Sequence, residues 1–559
     1  MNIKTLFIYT LLVLSILLAI ITRFYKLGEV PKGLYLDEAG QGYSAYSILK
    51  TGKDEFGMPY PFVFRSFTDF KTPIYIYLIT PLIPVFGLNP FTIRFPSFLF
   101  SILTIPVLFY LIKILLAKDK RANILAVLLT LLISISPWHV LFGRTNFECN
   151  VALFFFLFGL LTFYLGLKKP IFLILSSILF AIAIPAYHSQ RIITPLMLIY
   201  LFVRFRKILF DKDHKLFFII GIILGTIISI PTLIVSFTPG FLARASGLNI
   251  FSGDRYLSYG YLPDLNSFVN AIFNNKFLLI IRKFFAMYFS YLSPRNMFWL
   301  GDYGPRSSFP ELATFFVWQF PFYLYGLYRL IRDKTFGELR KIIIFMLLIS
   351  PIPGAMTSDP YSTIRALPLV IPQNMIIALG IYSIFDAIKR RLFKFIFSLI
   401  LIFLFIFSIG KLYSSVIVLN EYYRASEWNY GWKEVVEEIS KLDKSLPIIV
   451  DGQRTGPAYI EILFFKQYDP ARYQSENKEV SNSEYYINMV PNEHKKIENI
   501  ETRPINWEMD LPVHKYLIGD SLAISDQQIK THNLKLIKDI LYPNGSIAFR
   551  IVETNFPSQ

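Results

Sequence analysis

The sequence predicts a mainly α protein: a polytopic membrane helix bundle with a small extracytoplasmic α/β domain at its C-terminal end. Three observations carry this prediction. Hydrophobic residues make up 54% of the 559 positions and charged residues only 17%, with a mean hydropathy of +0.47. A water-soluble chain carries about a quarter charged residues, so too few polar side chains exist here to cover a water-facing surface. Apolar runs of the roughly 17–25 residues that a membrane crossing requires recur along the chain. The net charge of +17 is concentrated in short clusters between those runs, as in cytoplasmic loops. A nucleic-acid-binding face would gather its charge differently, and nucleic acid is not an expected partner.

Taken in order, Leu6 to Ile21 runs directly into Thr22-Arg23-Phe24-Tyr25 with no small-residue cleavage site, which reads as an uncleaved first helix rather than a signal peptide. Basic clusters follow at Lys118 to Arg121, Lys168-Lys169, Arg204 to Lys215, Arg329 to Lys341 and Lys389 to Lys394. Placing all five in the cytoplasm pairs the apolar segments into out-and-back hairpins. The expected spans are 5–23, 91–116, 123–137, 149–167, 171–186, 192–210, 216–238, 313–331, 341–357, 366–387 and 393–418. The apolar segment Pro73 to Gly87 contains Pro73, Pro81 and Pro84. A full crossing there would invert the hairpins, so an interfacial or re-entrant helix pair is expected.

This scheme gives a transmembrane domain over 1–420, with outer loops 25–72, 138–148 and 238–312, and a soluble extracytoplasmic domain over 421–559. In the polar tail, Lys433 to Leu442 has helical character and Pro447 to Val450 strand character. Cys149 is the only cysteine, so no intramolecular disulfide forms.

The span centres hold almost no ionisable groups, unlike a proton-coupled transporter. The chemistry instead gathers at the outer ends of the helices. Asp37 and Glu38 follow the first span, and a carboxylate at an apolar boundary is suited to general-base work. Lys71 enters the Pro73 segment as a point charge within reach of a lipid phosphate. In the second outer loop, Arg144 and Glu148 are spaced to pair on one helix face, with His139 close by in sequence. Tyr187-His188-Ser189-Gln190-Arg191 and the turn ending at Arg365 each set an arginine at the mouth of an apolar span. With Lys71 these would form a positive rim for a phosphate. In the long loop, the Gly/Pro-rich turn containing Asp302 and Arg306 is placed to close over a substrate. His139, Arg144, Tyr187, His188, Asp302 and Arg306 are therefore the candidate substrate contacts. For each motif alone the ordinary reading is structural: a cap, an interfacial anchor, an ion pair or a surface turn.

In sequence order, Asp37-Glu38, Lys71-Thr72-Pro73, Arg144-x-x-x-Glu148, Tyr187-His188-Ser189-x-Arg191 and Arg365 resemble the GT-C superfamily. The nearest branch is the protein O-mannosyltransferase and lipid A aminoarabinose transferase group, over roughly Met1 to Val418; the tail is similar only in position. The group usually reads Lys-Pro-Pro where this chain has Lys71-Thr72-Pro73. The resemblance implies a glycosyltransferase that takes a sugar from a polyprenyl phosphate and passes it to a glycan, lipid or protein acceptor. It makes Asp37 the catalytic carboxylate with Glu38 beside it, and Glu148 the acidic residue of the second outer loop. Lys71 and Arg365 would hold the lipid phosphate, and Arg191 joins them as a weaker match. A single base and a single displacement imply inversion at the anomeric carbon. The leaving group is already a phosphate, so no cofactor is required. Asp37 and Glu148 are the pair that a divalent metal would bridge if one took part. The expected location is the plasma membrane, with the active site on the extracytoplasmic side. A flippase of lipid-linked sugars would share the fold signals, and so would a structural assembly protein using the tail as a binding module.

Overall fold

A computed structural model describes residues 3–67, 69–117, 119–238, 250, 276–477, 480–481, 484–487 and 494–554. Residues 239–249 and 251–275 of the expected loop 238–312, and Lys118 of the first basic cluster, lie outside the described residues. The chain forms two compact units: residues 1–25, 97–237 and 241–415 make one, and residues 26–96, 238–240 and 416–559 the other. This partition does not follow the expected 1–420 and 421–559 division. The first outer loop packs with the C-terminal tail, because the helix Leu36–Thr51 rests on the helices Ala458–Lys466 and Pro470–Glu476.

The first unit is helical. Each of the eleven expected spans overlaps a helix, and among the described residues six helices are long and apolar enough to cross a membrane. Among the described residues, the helices Pro137–Phe142 and Lys276–Ser290 lie in segments read as outer loops. The span expected over 313–331 begins late, as the helix Phe320–Arg332. Small residues set one close helix contact here. A Cβ added at Gly380 would stand 1.9 Å from the carbonyl oxygen of Phe322, and one at Gly326 1.8 Å from that of Ile376. The helices Phe320–Arg332 and Val370–Ala387 therefore meet backbone to backbone, the arrangement that small residues permit in a bilayer.

The second unit is an α/β body. Its six-stranded sheet runs β4-β5-β3-β6-β8-β7, with β3 Ile448–Val450, β4 Lys495–Ile497, β5 Ile500–Thr502, β6 Lys515–Gly519, β7 Lys535–Leu541 and β8 Ile547–Thr554. Strand β3 is parallel to both β5 and β6, and the outer pairings are antiparallel. Ile449, Leu517, Ile524 and Val552 build the core on one face. The expected helix and strand of the tail appear as Trp432–Ile439 and β3. A short hairpin, β1 Phe64–Ser66 and β2 Asp69–Lys71, leads into the helix Pro73–Ile79. The apolar stretch Pro73–Phe86 is a broken helix shorter than a span. Pro81 and Pro84 each remove a backbone donor.

Candidate active site

The residues 25–72, read from sequence as a loop, contain the helix Leu36–Thr51, and this helix organises the site. Its first turn carries Asp37 and Glu38, where carboxylates meet the positive end of the helix dipole. The two carboxylates have different surroundings.

Glu38 is closed in. It is 2% exposed. Arg94 Nε donates to its Oε1 at 3.0 Å and Nη2 to its Oε2 at 2.8 Å, the parallel fork that guanidinium and carboxylate favour. Glu38 also receives the Tyr35 backbone N–H at 3.3 Å, capping its own helix. The remaining donors of Arg94 go to the carbonyl oxygens of Pro31 at 3.0 Å and Gly33 at 2.8 Å. Gly33 is a required glycine: its φ is +92°, and a Cβ there would stand 2.2 Å from the Trp428 carbonyl oxygen. The neighbouring Glu461 is buried, and burial followed by the charge of Glu38 holds its carboxyl well above the usual range, against the opposing hydrogen bond from Asn429.

Asp37 is open. Its Oδ1 stands 3.0 Å from Lys71 Nζ, with the side chains 27% and 13% exposed. Lys71 ends β2, and Thr72 and Pro73 start the next helix at once, with Pro73 at its first position. Because proline fixes φ and has no N–H to lose, the chain turns sharply there. Hairpin and helix together fix the base of the lysine.

The other expected residues belong to the first unit. Glu148 is the first residue of the helix Glu148–Gly166 and is 8% exposed. Arg144 precedes that helix, so the pair does not share one helix face; this expectation is corrected. Arg144 instead donates to the carbonyl oxygens of Thr22, Arg23 and Tyr25 at 3.1, 3.0 and 2.8 Å. It thereby caps the helix Ile3–Phe24 at its negative end. His139 is fully buried, with its Nδ1 2.8 Å from Arg23 Nη2. Both residues, read from sequence as substrate contacts, are turned into the packing of the first helix.

Asp302 joins two loops. Its Oδ2 accepts from both the backbone N–H and the hydroxyl of Thr363 at 2.6 Å, and its Oδ1 from Gly304 N–H at 2.8 Å. Burial pushes its carboxyl up, and these three donors work the other way. Trp138 Nε1 donates to the Thr363 carbonyl at 3.1 Å, so the second outer loop reaches the same turn. Arg365 Nη1 contacts Thr357 Oγ1 at 2.9 Å and Asp359 Oδ2 at 2.5 Å, and the phenol of Tyr187 acts on it electrostatically. His188 is half-buried in the turn before the helix Gln190–Leu209, Arg191 is half-buried in its first turn, and Arg306 is half-buried in the Asp302 loop. Among the described residues, no three His, Cys, Asp or Glu side chains gather as a metal-holding group.

Sequence reasoning missed Arg94. Its signal was present: a lone arginine near the start of the apolar run Pro90–Leu115 needs a buried partner.

Residues 70–234 match the protein family described as dolichyl-phosphate-mannose-protein mannosyltransferase. The structure is similar to ArnT from Cupriavidus metallidurans bound to undecaprenyl phosphate, with a TM-score of 0.52, 10% identity and 97% of each chain covered. It is also similar to the apo state of ArnT, with a TM-score of 0.50, 9% identity and 99% of each chain covered. A further similarity is to the archaeal oligosaccharyltransferase AglB from Archaeoglobus fulgidus in complex with an inhibitory peptide and a dolichol-phosphate. There the TM-score is 0.48 and the identity 14%; 83% of this chain is covered, and it spans 64% of the length of that enzyme. No curated protein matches the chain at the level of sequence. The chain shares the fold of the ArnT structures, and the family match covers less than a third of its length.

Proposed function

We propose that the protein transfers a sugar from a polyprenyl-phosphate donor to a hydroxyl-bearing glycan, lipid or protein acceptor on the extracytoplasmic side of the plasma membrane. The observation that carries this reading is the ion pair between Asp37 and Lys71. It joins a part-exposed carboxylate and a part-exposed cation, the two groups that such a displacement needs.

In this mechanism Lys71 leaves Asp37 for the donor phosphate, which gains a second negative charge as its bond to the sugar breaks, and Asp37 is freed as the base. The acceptor oxygen forms a bond to the anomeric carbon as its proton passes to the Asp37 carboxylate. The bond from that carbon to the phosphate oxygen breaks, and polyprenyl phosphate departs with the electron pair. The leaving group needs positive charge rather than a proton, and Lys71 supplies it; Arg365 and Arg191 are the further cations assigned to the phosphate. One displacement inverts the anomeric centre. No cofactor is required, and a divalent metal, if one took part, would be held by Asp37 and Glu148. Glu38, held on both oxygens by Arg94, positions the first turn of its helix and does not exchange protons with substrate. Glu148 stays assigned to catalysis as the acidic residue of the second outer loop, and Tyr187, His188, Asp302 and Arg306 to substrate contacts through their loops.

The test offers the purified protein a panel of radiolabelled polyprenyl-phosphate sugars with membrane extracts as acceptor. Transfer that disappears in Asp37→Asn supports the reading. A folded protein that moves labelled lipid across a vesicle without transferring sugar would identify a flippase instead.

A further inference from the structure

Within the helical unit, an apolar groove of about 500 Å³ lies among the helices Ile3–Phe24, Ala122–Ile135, Val370–Ala387 and Arg391–Tyr413. Leu11, Leu128, Leu131, Phe385, Leu401 and Phe405 are among the side chains that line it. The helix Arg391–Tyr413 forms one wall while remaining mostly exposed, so it stands off the bundle and leaves the groove unfilled by protein.

The two ends of the groove differ. At one end Trp318 lines it and donates from Nε1 to Ser408 Oγ at 2.8 Å. At the other end the lining residue Phe385 has Lys394 Nζ 5.0 Å from its ring centre. Lys389, Arg390 and Arg391 are exposed beside it, and among the described residues none of these four cations is in an ion pair. The opposing charge there is Asp386; Asp119 and Asp333 are paired with Arg121 and Arg329.

We propose that this groove is a binding site for an anionic membrane phospholipid, with one acyl chain between Trp318 and Phe385 and the phosphate head group on Lys389, Arg390, Arg391 and Lys394. Charge complementarity selects the occupant, because each cation near a head group favours an anionic lipid by about 1 kcal/mol, or roughly fivefold. It is a second lipid site. Phe385 lies on the last turn of the helix Val370–Ala387, roughly 22 Å along its axis from its start. Arg365, assigned above to the donor phosphate, precedes that start.

Trp318 provides the probe. Quenching of its fluorescence by dibrominated phosphatidylglycerol and by dibrominated phosphatidylcholine is compared in the detergent-purified full-length protein, with Trp318→Phe as the blank. The expected result is half-maximal quenching by phosphatidylglycerol at about a hundredfold lower concentration than by phosphatidylcholine. Raising the ionic strength removes this preference in the unaltered protein. A folded triple variant, Lys389→Ala with Arg390→Ala and Arg391→Ala, also loses it. Equal quenching by both lipids, or a preference that survives high salt, overturns the proposal. If unbrominated undecaprenyl phosphate relieves the quenching as effectively as unbrominated phosphatidylglycerol does, the groove belongs to the donor lipid and the proposal falls, while the sugar-transfer reading stands.

Discussion

Arg94 grips Glu38 through two parallel hydrogen bonds of 3.0 and 2.8 Å, and both side chains are sealed from solvent. Leaving one member of such a pair buried alone costs about 3–5 kcal/mol. Arg94→Met and Glu38→Ala are each expected to lower the thermal unfolding midpoint sharply. The double variant should recover part of that loss, since no lone charge then remains. A midpoint unchanged in either single variant would contradict the role given to this pair.

Asp37 is part-exposed, and its partner Lys71 also reaches solvent. Asp37→Asn should therefore fold with an unchanged unfolding profile and lose about 10²–10⁴ of its transfer rate, the usual weight of a general base. The assay is label transfer from the polyprenyl-phosphate sugar that the protein accepts.

In the proposed mechanism Lys71 acts on the donor phosphate. Lys71→Met should reduce transfer by about 10²–10³, whereas Lys71→Arg, which keeps the charge, retains part of the rate. Kinetics against donor concentration at fixed acceptor separate the two variants. Equal loss in both would argue that Lys71 serves only to hold Asp37.

Asp54 and Glu55 make the second unit pH-dependent. Burial raises Asp54 from 3.8 to about 6, partly offset by the Tyr485 hydroxyl, which donates to it at 2.5 Å. Burial, together with the charge of Asp54, raises Glu55 from 4.5 to about 8. Both folded values exceed the unfolded ones, so between them the folded state binds more protons. Stability must fall as pH rises from about 4 to 8 and level off beyond. Glu55→Gln should raise the unfolding midpoint at pH ~8 and leave it nearly unchanged at pH ~4.5. A midpoint that does not differ at either pH would show that Glu55 is ionised in the fold.

Gly380 has no room for a side chain, since a Cβ would meet the Phe322 carbonyl oxygen at 1.9 Å. Gly380→Val should separate the helices Phe320–Arg332 and Val370–Ala387 at a cost of about 1–3 kcal/mol or more. The measurement is the yield of monodisperse protein after detergent extraction and its unfolding midpoint.

By itself the sequence determined the membrane class and the eleven helical segments, because the apolar length needed to cross a bilayer is a one-dimensional property. It also singled out Asp37 and Lys71 as residues for the site. Only tertiary structure decided how Asp37 and Glu38 divide their tasks. Adjacent residues on a helix point about 100° apart, so Glu38 meets Arg94, 56 positions away, while Asp37 meets Lys71. Arg144 and His139 looked exposed because loops usually are; the end of the helix Ile3–Phe24 needed donors for its carbonyls, and Arg144 turned inward to provide them. The union of the first loop with the tail was hidden for the same reason. It rests on contacts such as Arg65 with Tyr485, 420 residues apart, and local pattern carries no trace of a partner at that distance.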